Sequence, residues 1–154
     1  MPLDFQSCDG PVGSDSLFDW ADRTDQIADQ LRQTKRHAAQ ARYFSGLHAE
    51  DQVARIYVSR GAKELERRWR GKSGEVDLIF CLGDEVVFVE VKTSKTHDRA
   101  AARLTQRQLA RVCNAAAEYL DGMPKGGLTP MRVDAALVDQ LGQTEILENV
   151  LLMG

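Results

Sequence analysis

Only three cysteines occur in the 154 residues, Cys8, Cys81 and Cys113, and they lie far apart. An odd, scattered set argues against a disulfide framework and against a cysteine-based zinc site, and it suits a reducing cytoplasm. No apolar run approaches the roughly 20 residues that span a membrane. The opening stretch MPLDFQSCDG lacks a cationic segment leading into an apolar one, so no secretory signal is expected there. Internal repeats are absent as well. These absences exclude a membrane span, a stapled secreted scaffold and a repeat array.

What is present suits one globular domain with one core. Hydrophobic residues make up 43% of the chain and charged residues 28%. The net charge of −3 is unevenly spread. Residues 1–34 hold seven Asp against two Arg, and residues 35–111 hold sixteen Lys or Arg against ten Asp or Glu. A basic middle between acidic ends permits a nucleic-acid partner without requiring one. Residues 1–34 read as an acidic N-terminal extension, partly flexible or helical, with a flexible tail expected over 1–22. Residues 35–154 read as the functional domain.

Helices are expected over 23–43 and 46–60, with Ser45 capping the second and Gly61 stopping it. On that second helix Glu50, Val53, Ala54 and Tyr57 share one face. Glu50 therefore points with the apolar stripe, although a first-turn Glu near the positive helix end explains it equally well. Residues 62–70 fit either a strand or a continued helix. GKSG at 71–74 is a turn, and it lacks the earlier glycine and following helix of a phosphate-binding loop. The clearest strands are EVDLIFCL, 75–82, and EVVFVEVK, 85–92. Gly83-Asp84 between them suits a two-residue hairpin turn. Thr105 and Gln108 form a T-x-x-Q capping box, followed by an apolar stripe of Leu109, Val112, Ala116 and Leu120. Arg99, Arg103, Arg107 and Arg111 are spaced by four and would form one cationic stripe wherever this stretch is helical. MRVDAALV, 131–138, reads as an edge-type strand, and EILENVLL, 145–152, as a last strand or short helix.

The hairpin register places Asp77 across from Glu90 and Glu75 across from Lys92. Two carboxylates at that range repel, so one takes up a proton or a cation sits between them. Hard oxygen ligands with open positions suit Mg²⁺ or Mn²⁺, which lower the pKa of a bound water and stabilise charge on a phosphoryl oxygen. Lys92 is placed to orient the water or offset that charge. A salt-bridge ladder on a solvated face is the competing explanation. It is weakened by Val86, Val87, Phe88, Val89 and Val91, which make both faces of the strand apolar.

Asp77 followed by Glu90-x-Lys92 on the next strand resembles the PD-(D/E)XK pattern of restriction-endonuclease-like nucleases. More narrowly, the run GLHAEDQVARIYVSRGAKELERRWRGKSGEVDLIFCLGDEVVFVEVKTS resembles the YraN family of predicted bacterial endonucleases, which is similar to archaeal Holliday-junction resolvases. The resemblance continues more weakly through Arg132-x-Asp134 and Glu148-Asn149. It implies an α/β fold with a central mixed sheet flanked by helices. It also implies an Mg²⁺ or Mn²⁺ site on Asp77, Glu90 and the carbonyl of Val91, with Lys92 catalytic and Glu50 an additional carboxylate facing the metal. Glu75 and Gln108 would support the site from beside it. Arg70, Lys95 and the four spaced arginines are the candidate phosphate contacts. A homodimer acting on branched DNA is a further implication. Three positions depart from the family pattern: Ser94 where Arg is common, Gln108 where Lys is common, and Arg68 where Asn is common. Two functions follow as expectations. One is a metal-dependent DNA endonuclease; the other is a nucleic-acid-binding module that keeps the fold without turnover. The acidic extension as a protein-interaction segment is a third, weaker expectation.

Overall fold

A computed structural model describes residues 15–152, and the side-chain surroundings of 22–42 and 45–152. The elements are α1 (Asp15–Ser59), β1 (Lys63–Arg70), β2 (Glu75–Leu82), β3 (Glu85–Thr93), α2 (His97–Ala102), α3 (Gln106–Asp121), β4 (Met131–Val138) and β5 (Thr144–Leu147). Short 3₁₀ turns lie at Gly126–Leu128 and Val150–Leu152. The chain divides into two units, Met1–Tyr43 and Phe44–Gly154. In the first, residues 22–42 are helical and almost wholly exposed, with Ile27 and Leu31 open to solvent. The tail expected over 1–22 falls partly outside the described residues, and its last part, 15–22, is helix.

The two helices expected around Ser45 are one. A single mid-helix glycine, Gly46, costs about 1 kcal/mol, which is too little to end a helix whose neighbours favour it. Gly61 does end it. Its φ of 92°, with Gly61 N–H donating to the Val58 carbonyl and Ala62 N–H donating to that of Tyr57, is a Schellman cap.

The five strands run in the order β1-β2-β3-β4-β5. Every neighbouring pair is antiparallel except β3 and β4, which are parallel and joined by the crossover carrying α2 and α3. This is the mixed sheet between helices that the resemblance implied. One face packs on α3 through Val76, Ile79, Phe88, Leu109, Val112 and Val133. The other packs on the end of α1 through Val53, Tyr57, Leu78, Phe80, Val87 and Val89. β4, expected at an edge, is interior, with β5 outside it. Its residues from Val133 onward are buried on both faces, as suits a strand beside a parallel neighbour. The chain end read as strand or helix is a strand followed by a 3₁₀ turn. Among the described residues, no helix is long and apolar enough to cross a membrane.

A buried polar knot ties this core together. Asp134 on β4 is 0% exposed. It accepts from the Tyr57 hydroxyl at 2.7 Å, the Asn149 backbone N–H at 2.9 Å and the Arg132 Nε at 3.1 Å. Tyr57 also stacks on Phe80 with ring centroids 4.6 Å apart. Burial, and then the bond to Asp134, push the Tyr57 phenol well above its usual range. Arg132-x-Asp134 and Asn149 thus serve the core, joining α1, β4 and the chain's end. Removing Asp134 strands a partly buried guanidinium and a buried hydroxyl. Urea unfolding should show Asp134→Ala losing about 3–5 kcal/mol, and Tyr57→Phe losing about 1–2 kcal/mol.

Candidate metal centre

The centre lies where β2 and β3 stop pairing. The hairpin has the two-residue turn expected, with Gly83 at φ 63°, and the ladder runs from Leu82–Glu85 to Leu78–Val89. One step further Asp77 meets Glu90, and there the regular ladder gives way. The Asp77 carboxylate, rather than its backbone, takes the Val91 N–H at 2.8 Å. A strand residue's N–H and C=O point to the same side, so the Val91 carbonyl also faces the β2 side.

The irregularity has a local origin. Val76 and Leu78 are two apart, yet they pack into the cores on opposite faces of the sheet. Strict alternation is therefore broken at Asp77. Opposite it on β1, between the pairs Arg67–Leu78 and Trp69–Val76, stands Arg68 with φ 47°. This is the left-handed region, in which Asn is several-fold enriched among non-glycine residues. An Asn at this place would fit that backbone.

Charge is concentrated here. Lys92 Nζ lies 3.0 Å from Glu90 Oε1, and both side chains are 13% exposed. Asp77 is raised from 3.8 to about 7, first by burial and next by the charge of Glu90, while the Val91 N–H and Lys92 pull the other way. Glu50, 8% exposed, accepts from Arg68 Nε at 3.0 Å and Nη2 at 3.4 Å. Its carboxyl is also raised, by burial and by Asp77's charge against the opposing Arg68. Glu50 therefore lies within electrostatic reach of Asp77. Among the described residues, no three His, Cys, Asp or Glu side chains are gathered to hold one ion. The gathered donors are two carboxylates and a strand carbonyl. Excess negative charge on oxygen donors, with a lysine at the rim, fits a hard divalent cation that keeps several water ligands.

Other expected residues sit differently. Glu75 pairs with Arg70 at 2.9 Å rather than with Lys92, which Glu90 holds. The four-arginine stripe is split, because α2 and α3 are separate helices. Arg103 falls between them, capping α2 and donating from Nη1 to the Thr93 carbonyl at 2.7 Å. Arg107 and Arg111 remain one turn apart on α3, and Lys95 and Arg99 are exposed near the end of β3. The capping box at Thr105 is half made: Gln108 N–H donates to Thr105 Oγ1, while Gln108 Oε1 is buried without a hydrogen-bond partner. Gln108, Arg111, Gly74, Glu75, Glu90 and Val112 line a cavity of about 220 Å³ reaching Glu90 from the α3 side. The turn at 71–74 presents no anion cradle, since the N–H groups of Lys72 and Ser73 donate to the Glu118 carboxylate. Sequence reading did not give Arg68 a place in the site. Its only signal was its departure from the residue that the resemblance implies there.

The model of the Uncharacterised protein family UPF0102 matches residues 49–138. The chain belongs to this family. A UPF0102 protein of Cereibacter sphaeroides is 56% identical over 107 residues, covering 70% of this chain and 92% of the relative. One from Ruegeria sp. (strain TM1040) is 45% identical over 119 residues, covering 77% and 96%. One from Ruegeria pomeroyi is 54% identical over 107 residues, covering 70% and 87%. The UPF0102 match contains Glu50, Arg68, Asp77, Glu90 and Lys92.

The raised Asp77 carboxyl sets a pH dependence. Its proton is held more tightly in the folded state than in the unfolded one, so protonation favours folding. That stability is fully present below about pH 4 and is lost as pH rises through about 7. In buffer stripped of divalent ions, unfolding free energy should fall between those limits by up to about 1.4 kcal/mol per pH unit. Asp77→Asn should flatten this slope. Equal slopes in urea melts of the two proteins would remove the assignment.

Proposed function

We propose that this UPF0102 protein is an Mg²⁺- or Mn²⁺-dependent endonuclease that hydrolyses DNA phosphodiester bonds. The observation that carries the reading is the Asp77–Glu90 carboxylate pair at the end of the β2–β3 ladder, with Lys92 held against Glu90. Asp77, Glu90 and the Val91 carbonyl would hold the ion. When bound, it supplies Lewis-acid polarisation of a phosphoryl oxygen and a more acidic water.

The chain's own residues do the rest. Lys92 places a positive charge beside the carboxylates, where it donates to a water or offsets charge gathering on the phosphate. Asp77, pinned by the Val91 N–H, keeps the carboxylate pair in a fixed orientation. Arg107, Arg111, Lys95 and Arg99 are exposed on neighbouring elements and suit contacts to a phosphate backbone, with affinity that falls as salt rises. Branched recombination or repair intermediates are the substrates suggested by the similarity to junction resolvases.

The test is cleavage of plain, nicked, flapped and four-way DNA with Mg²⁺ or Mn²⁺. Glu90→Gln and Lys92→Ala should stay folded and lose at least about 100-fold in rate. Equal cutting by wild type and both variants would mark a contaminant and end the proposal. Metal and DNA binding without cleavage would favour the binding-module reading.

A further inference from the structure

Arg67 and Arg68 are adjacent on β1, yet both reach α1: Arg67 pairs with Asp51 and Arg68 with Glu50. Adjacent residues of a regular strand point to opposite faces. The left-handed φ of 47° at Arg68 removes that conflict. A long side chain in this region costs about 1–2 kcal/mol, and such backbone persists only where its surroundings over-determine it. Here the surroundings are the Glu50 carboxylate on one side and Asp77, opposite in register, on the other.

Both Glu50 oxygens are engaged by the guanidinium, at 3.0 and 3.4 Å. A guanidinium stays charged at any physiological pH. The charge of Asp77 disfavours the ionised form of Glu50, and Arg68, between β1 and α1, opposes this by its hydrogen bonds and its positive charge. Asp77 and Glu90, by contrast, are answered by Lys92 and the Val91 N–H, and the Asp77 carboxyl stays raised. The third carboxylate is thus withdrawn from the ligand set, in keeping with the lack of any gathered trio among the described residues.

We infer that Arg68 is a positioning residue that limits the centre to one divalent ion, by holding Glu50 in an ion pair and standing as a fixed cation where a second ion would otherwise bind. This rests on the proposed metal site at Asp77 and Glu90. Arg68 removes Glu50 as a ligand in two ways: it occupies both oxygens, and it repels a second cation nearby.

Mn²⁺ binding to the full chain tests this directly, by calorimetric titration with free Mn²⁺ counted by electron paramagnetic resonance. Wild type should take one ion per chain, and Asp77→Asn should take none. Arg68→Asn and Arg68→Gly both accept the left-handed backbone. Either should bind a second ion, or bind the first at least about tenfold more tightly. Adding Glu50→Gln to either should cancel that gain, and Arg68→Lys should keep the single ion. Unchanged stoichiometry and affinity in folded Arg68→Asn and Arg68→Gly would overturn the inference while leaving the metal site intact. Absence of Mn²⁺ binding in wild type and all variants would overturn both.

Discussion

Two carboxylates meet across the end of one hairpin, and much of the local structure depends on keeping them there. Repulsion and desolvation both oppose the approach of Asp77 and Glu90 that the hairpin register brings about. The two carboxylates stay because each is tied to something else. The Val91 N–H binds Asp77, and Lys92 binds Glu90. The sheet above them, fully buried from Leu78 to Phe80 and from Val86 to Val89, supplies the rigidity. In the proposed reading, a divalent ion would relieve the repulsion that the fold sustains.

The break in strand alternation is the second element of the design. Left-handed backbone at Arg68 and the change of face at Asp77 are opposite each other on β1 and β2. Together they let one side of the site look toward α1 and the other toward α3. Glu50 therefore approaches from one face, while Gln108 and Arg111 approach Glu90 from the other. A regular β1–β2 pair would confine the charged residues to one face and leave either α1 or α3 without a part in the site.

The Tyr57–Asp134–Arg132 knot serves another purpose. It fixes the end of α1 against β4 and the last residues of the chain. Glu50 lies two turns before Tyr57 on the same helix face, so the knot also sets how far Glu50 can move relative to the sheet. Positions 132, 134 and 149, which form part of the resemblance, are explained by packing rather than by catalysis.

The β2–β3 hairpin, its two-residue turn and its register were legible in the sequence because turn chemistry and β-branched runs are local signals. The buried stripe of α1 and the start of α3 at Thr105 were legible for the same reason, through helical periodicity and capping. Family membership was also visible, carried by GEVDLI and VFVEVK. The placement of β4 inside the sheet was not, because strand order depends on crossovers and not on any strand's own residues. Nor was the split of the arginine stripe, since a break between two helices moves Arg103 off the line without changing its spacing. The partnership of Arg68 with Glu50 was the least legible of all. It joins residues 18 positions apart through a backbone reversal that no local residue type demands. The sequence alone determined which charges the chain carries and which two strands bring Asp77 to Glu90. Tertiary structure decided which charge answers which, because ion pairs form between elements whose relative placement is settled only when the core packs.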